Sequence, residues 1–161
     1  MKNLVLAAVA ALSSLLPAQL TATVVPTGSG CGIGAMNLTQ DSTYARPIMG
    51  SPWIMYVNAL YSSTQYVAMV HGSIYWGGLD LTYLGMQGCY SYVDLTTSTT
   101  DGLSWSGGVA TWSVTVPNDY ALVGQQLAIQ ALVYDPTTYL QGVNTTGWVT
   151  THACYCVIGD Q

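Results

Sequence analysis

Near the end of the chain His152, Cys154 and Cys156 stand two residues apart. Side chains alternate along a strand, so this spacing puts one imidazole and two thiols on one face. Those ligands suit zinc or copper. The competing reading is structural, with the cysteines in disulfides and the histidine exposed. A bond from Cys154 to Cys156 is geometrically awkward between same-face neighbours on a strand. A bond between two copies of the chain is a third arrangement. With Cys31 and Cys89 the cysteines number four, an even set that favours disulfides over metal in an exported chain. Four cysteines allow three pairings, and spacing does not choose among them. All four are expected in disulfides, with no metal site.

The acidic residues are seven aspartates, Asp41, Asp80, Asp94, Asp101, Asp119, Asp135 and Asp160, with no glutamate. Two of them could serve as the carboxylate pair of a glycoside hydrolase. Asp101–Gly102, Asn118–Asp119 and Asp135–Pro136 instead read as turns. The spacing matches no EF-hand loop. His71 and His152 are the only imidazoles available as a base, and no Gly-x-Ser-x-Gly elbow is present. Phosphate-cradling and dinucleotide fingerprints are missing too. The reading is a non-enzyme with no catalytic residues and no cofactor.

Twelve tyrosines and five tryptophans stand beside no phenylalanine at all. Trp53, Trp112 and Trp148 are expected to fill the core in its place. Tyr61, Tyr75, Trp76 and Tyr139 flank turns and are the candidates for exposure. Rigid, amphipathic rings of this kind suit protein interfaces and can stack on sugar. Asn37-Leu-Thr and Asn144-Thr-Thr fit the glycosylation sequon.

These residues must be positioned by a chain of 161 residues, half of them hydrophobic. Lys2, the apolar run from Leu4 to Leu16 and the break at Pro17 read as a signal peptide over residues 1–22. Cleavage after Ala22 is preferred, and Ala18 offers the other small residue. The run is shorter than the ~20 residues that span a bilayer, so no membrane span is expected after cleavage. Beyond it Arg46 is the single basic residue and seven aspartates leave a net charge of −6. Such a surface repels nucleic acid and anionic lipid.

Short apolar or alternating segments recur between turn signals. They are Trp53–Leu60, Gln65–Val70, Ser73–Trp76, Leu79–Leu84, Cys89–Leu95, Val109–Val116, Gln125–Tyr134 and Gly147–Ile158. Val109–Val116 is the cleanest, with Ala110, Trp112, Val114 and Val116 on one face. Residues 23–34 read as an arm or loop and 96–102 as a polar loop. Ala121–Leu132 is the one helix competitor and is read as strand. The expectation is all-β: residues 23–161 as one antiparallel β-sandwich of about eight strands, jelly-roll or Ig-like, disulfide-linked. Gln130 is expected buried, its amide satisfied by backbone.

The segment VPNDYALVGQQLAIQALVYDP, residues 116–136, resembles a family of secreted β-sandwich domains abundant in planctomycetes and myxobacteria. Val116, Pro117, Leu122, Val123, Gly124, Gln130, Val133 and Asp135 occupy its motif positions. Gly30–Cys31, Pro47, Ile48 and Gly50 resemble earlier blocks. So do Leu79, Asp80, Leu81 and Leu84 followed by Gly88–Cys89. The resemblance implies that Cys31 pairs with Cys89, carries over no catalytic residue, and is silent on Cys154 and Cys156. Residues and resemblance together lead to a secreted, non-enzymatic structural or interaction protein of the extracellular or cell-surface layer. It would associate with itself or with another extracellular protein. The alternative is a carbohydrate-binding module using exposed Tyr and Trp.

Overall fold

The structure is a computed structural model that describes residues 19–31, 36–142 and 144–161. The signal-peptide reading falls mostly on residues outside these. Among the described residues the chain forms eleven strands. They are β1 (Thr23–Thr27), β2 (Asn37–Gln40), β3 (Pro52–Asn58), β4 (Tyr66–Gly72), β5 (Ile74–Asp80) and β6 (Tyr90–Val93). Then come β7 (Thr99–Leu103), β8 (Trp105–Ser106), β9 (Val109–Thr115), β10 (Gln126–Tyr134) and β11 (Trp148–Val157). One short helix, α1 (Pro136–Leu140), lies between the last two strands. The strands assemble into a five-stranded sheet in the order β1-β11-β10-β4-β7, a four-stranded sheet β2-β3-β9-β8, and a two-stranded ribbon β5-β6. The strand pairs in all three are antiparallel.

The expected all-β sandwich is present, with a third layer added. The main core lies between the two larger sheets and includes Trp53, Met55, Val57, Met69, Trp112, Ile129, Val133, Val149, Cys154 and Cys156. The opposite face of the five-stranded sheet is covered by the β5-β6 ribbon. There Val70, Ala128 and Val93 form a second apolar cluster, and Leu81, Met86 and Cys89 a third. Burial on both faces explains two runs that do not alternate: Val67–Val70 and 128–131 are each buried at four consecutive positions.

Three segments differ from their sequence reading. The arm at 23–27 is edge strand β1, paired along its whole length with β11; Pro26 suits an edge, which tolerates a missing ladder donor. The polar loop contains β7, whose threonines are β-branched and need only the open edge of β4 to pair. Ser73–Trp76 and the start of Leu79–Leu84 join in one strand, β5. Gly77 and Gly78 both hold positive φ there and form an irregularity rather than a turn. Trp53 and Trp112 are core residues as expected, whereas Trp148 is half-buried.

The resemblance-implied disulfide is formed. Cys31 and Cys89 are bonded across 58 residues, tying the end of the first strand to the ribbon layer. In the chain-entropy account a loop of that length stabilises by about 4 kcal/mol. Cys154 and Cys156 correct the expectation for the other pair: both are free thiols, almost fully buried in the main core. Their burial also removes the contact that a bond between copies would need.

They reach that core because β11 carries a bulge. Gln130 pairs with Ala153 but Leu132 pairs with Thr150, so Thr151 and His152 together oppose Ala131. The extra residue shifts the alternation. Without it, the phase set by Val149 would turn Cys154 and Cys156 to the outer face. The bulge frees backbone groups, and side chains satisfy them. Ala131 N donates to Thr151 Oγ1 at 3.0 Å. Gln130 Nε2 donates to Thr151 O at 2.7 Å and to Tyr90 O at 2.9 Å. Tyr92 N donates to Gln130 Oε1 at 3.1 Å. The buried amide is thus satisfied by backbone, as expected, and fastens β6 to β10.

At the N-terminal side of β1, Ala22 N donates to Gln161 O and Asp160 N to Leu20 O. Gly159 lies so close to this segment that a Cβ there would collide with Ala22 N and Leu20 O. Cleavage after Ala22 would remove these contacts, and cleavage after Ala18 would keep them.

Replacing Gln130 by Met keeps the volume, removes these partners from Thr151 O and the Tyr92 N–H, and leaves Tyr90 O with the longer bond from Thr150 Oγ1. Gln130→Met is expected to lose about 2–4 kcal/mol, measured by denaturant unfolding. Hydrogen exchange should quicken most at the Tyr90–Val93 amides; uniform quickening would show that the amide does not fasten the ribbon.

Candidate functional site

All four aromatic candidates reach solvent, and Trp76 is the most open at 69% exposure. Tyr75 and Trp76 lie on β5 in the ribbon layer. The Trp76 ring sits edge-on to Tyr155 of β11, centroids 5.0 Å apart, and Tyr155 meets Tyr92 of β6 at 6.4 Å. This places one exposed indole on a base of two tyrosines. The sequence reading picked Trp76 but missed Tyr155, because it treated the last strand as a carrier of His152, Cys154 and Cys156.

Tyr61 and Tyr139 belong to a different construction. Tyr139 lies on α1, which is capped by Asp135. Tyr61 N donates to Thr64 Oγ1, and Thr64 in turn donates to Asp135. Asp135 has no exposed surface. Its carboxylate accepts from Ser63 Oγ at 2.9 Å, Thr64 Oγ1 at 3.2 Å, Thr137 N at 2.9 Å and Thr137 Oγ1 at 2.6 Å. Burial pushes its pKa up. The hydrogen bonds from Thr137, Ser63 and Thr64 outweigh that, so the group lies below the usual carboxylate range.

The other aspartates are engaged in the same way. Asp41, Asp80, Asp94 and Asp119 each accept from the backbone N–H two residues on, at 2.7–2.9 Å. That is the Asx turn, in agreement with the turn reading of Asp119; Asp80 and Asp94 fall in segments read as strand. Asp160 accepts from Leu20 N. Asp101 departs from its turn reading: it lies on β7 opposite Met69. It accepts from Trp112 Nε1 at 2.8 Å and from His71 Nε2 at 3.1 Å, on the same oxygen. The hydrogen bond from Trp112, with help from His71, holds the carboxyl below its ordinary range. His71 therefore faces a carboxylate. The cluster was hidden in the sequence because its members lie on three strands, one of them read as loop.

His152 is half-buried, and burial pulls its imidazole pKa down. Burial likewise pushes the Cys154 thiol up to about 11, and the Cys156 thiol further in the same direction. Protonated thiols are poor ligands and nucleophiles. Among the described residues no group of three His, Cys, Asp or Glu side chains is placed to hold a metal ion. Asn144, of the second sequon, is buried and caps its own turn, accepting from Thr146 N and Gly147 N. No helix among the described residues is long and apolar enough to cross a membrane.

The structure also holds two small apolar cavities. One of about 90 Å³ lies between the ribbon and the five-stranded sheet, with Leu81, Leu84 and Leu132 in its walls. Its polar neighbour Gln130 is fully bonded. The other, of about 130 Å³, is lined by Trp53, Trp112 and His71. The Trp53 Nε1–H is buried and has no partner among the described residues, at a cost of about 1–3 kcal/mol. Comparison with protein-family models, with curated proteins and with solved structures finds no match.

Asp135→Asn replaces two acceptor oxygens by one and should destabilise the protein at neutral pH by roughly 2–4 kcal/mol. A carboxyl with a depressed folded pKa contributes stability above its unfolded pKa and loses it as pH falls through the folded value. The gap between wild type and variant should therefore narrow below about pH 4, read from unfolding midpoints; a gap that widens in acid contradicts the assignment. A second expectation concerns the thiols. In the native protein Cys154 and Cys156 should resist a thiol reagent at pH 8 and titrate as two groups once denaturant is added. Rapid native labelling would show that the core opens there.

Proposed function

We propose that this chain is a secreted, non-enzymatic structural or interaction protein of the extracellular or cell-surface layer, associating with copies of itself or with another extracellular protein. The family resemblance is part of the same proposal. The observation that carries it is the deployment of the aspartates: all seven side chains are bonded to backbone or side-chain donors of this chain. Fixed in this way, they serve the fold, most of them at turns, rather than a substrate.

Much of the remaining surface is aromatic and uncharged. Tyr83, Tyr120, Trp76, Tyr139 and Leu140 are each more than half exposed. Edge strand β7 offers Thr99, Thr100 and Gly102 to solvent with no lysine to block pairing. Apart from the half-exposed Asp101 of β7, burying such surface does not require desolvating ions, the costly step for charged faces. The disulfide fits an oxidising compartment.

A carbohydrate-binding role is the second reading. It is favoured by one feature, the exposed Trp76 indole supported from beneath by Tyr155. A glycan array addresses it directly.

Sedimentation of the exported chain across about a hundredfold concentration range tests the first reading. The weight-average mass should rise with concentration, and mild reductant should not lower it, because Cys154 and Cys156 are buried. A monomer at every concentration removes self-association; if Trp76→Ala also abolishes polysaccharide binding, the second reading replaces the first.

A further inference from the structure

The five-stranded sheet ends in two edge strands, β1 and β7. Which backbone groups each edge exposes follows from the ladder. Asp135 N donates to Gly147 O and Ile158 N donates to Gln125 O, at the two ends of the β10–β11 pair. Both bonds turn the odd-numbered residues of β10 toward β11, so the even-numbered ones bond to β4. Carried through the β4 register, Thr99, Asp101 and Leu103 of β7 point their N–H and C=O groups at β4, and Thr100 and Gly102 point theirs outward. No described strand lies beyond them.

The two edges are protected unequally. The same phase carried through β11 turns Val24 and Pro26 of β1 outward, and Pro26 has no N–H to offer a further strand. β7 has no proline and no lysine, and it pairs with β4 without a bulge over all five residues. Its one charge is Asp101. An open, unbulged edge of this kind is a template for another strand.

We propose that β7 joins two copies of this chain, the two strands pairing antiparallel about a twofold axis at Thr100 so that two five-stranded sheets become one. The proposal rests on the self-association reading above and names its surface. A second copy fits because the edge complements itself: each Thr100 supplies one outward donor and one outward acceptor, and a twofold contact uses the same patch on both subunits. Growth stops there, since Pro26 interrupts the opposite edge. Asp101 selects the axis. An axis at Asp101 sets the carboxylate directly opposite its own copy, which is destabilising. An axis at Gly102 sets Leu103 opposite it. An axis at Thr100 sets the Thr99 hydroxyl opposite it, and Asp101 Oδ1 is left free by His71 and Trp112, which both bond to Oδ2.

Sedimentation of the exported chain over a concentration series reads the association. Thr100→Pro removes one outward N–H from each copy and no bond to β4. It should weaken the dimer by at least about tenfold, the equivalent of about 1.4 kcal/mol, while thermal unfolding stays near wild type. Thr100→Lys sets two ammonium groups face to face and should act in the same way; it decides the matter where the proline variant unfolds early. Thr100→Cys should give a disulfide-linked dimer on mild oxidation, because directly paired Cα atoms about 5.5 Å apart lie within disulfide reach. Undiminished association of the Thr100→Pro and Thr100→Lys variants overturns the proposal and leaves self-association to another surface. Cross-linking of Gly102→Cys but not of Thr100→Cys overturns the axis. A wild-type chain that stays monomeric removes self-association and this proposal with it; protection of its Thr100 and Gly102 amides by an added extended peptide of different sequence would then assign the edge to a foreign strand.

Discussion

The Gln130 amide at the β11 bulge is the contact on which the three layers depend. One side chain satisfies a carbonyl freed by the bulge and two backbone groups of the ribbon. The bulge itself sets the phase of the last strand. Upstream of it Val149 faces the main core, and downstream Cys154 and Cys156 do. Tyr155 is thereby turned to the outer face, where it supports Trp76. The inner packing of the sandwich and its outer aromatic surface are two consequences of one irregularity.

The aspartates make a complementary contribution at the chain reversals. A protein with so few charges cannot rely on ion pairs, and its carboxylates are placed where backbone N–H groups converge. Asp135 goes furthest, joining the β3–β4 connection to α1 through Ser63, Thr64 and Thr137. Asp41, Asp80, Asp94 and Asp135 are stabilised in their charged form by hydrogen-bond donors rather than by cations. This arrangement leaves few charges on the sheets and their edges, Asp101 of β7 among them, and it is why a surface rich in Tyr and Thr is the feature available for recognition.

Much of this organisation was legible in residue order because its causes are local. Asx turns need only a carboxylate and the N–H two residues on, so Asp119 and Asp135 were read directly from their neighbours Asn118 and Pro136. Alternation marked β9, and the absence of phenylalanine pointed to Trp53 and Trp112 as core. Exposure of Tyr61, Tyr75, Trp76 and Tyr139 followed from their positions beside turns. Edge strands β1, β2, β7 and β8 were not legible: they bury little, carry no strong apolar pattern, and exist only because a neighbouring strand offers unpaired backbone.

The sequence by itself determined the all-β class, the poverty of charge and the turn-forming role of Asp119 and Asp135, since composition and near-neighbour hydrogen bonds suffice for these. Tertiary structure alone decided the state of Cys154 and Cys156, the grouping of His71, Asp101 and Trp112, and the stranded N–H of Trp53. Each depends on register between strands distant in the chain. A single extra residue in β11 reverses which face a side chain occupies, and no local pattern announces it.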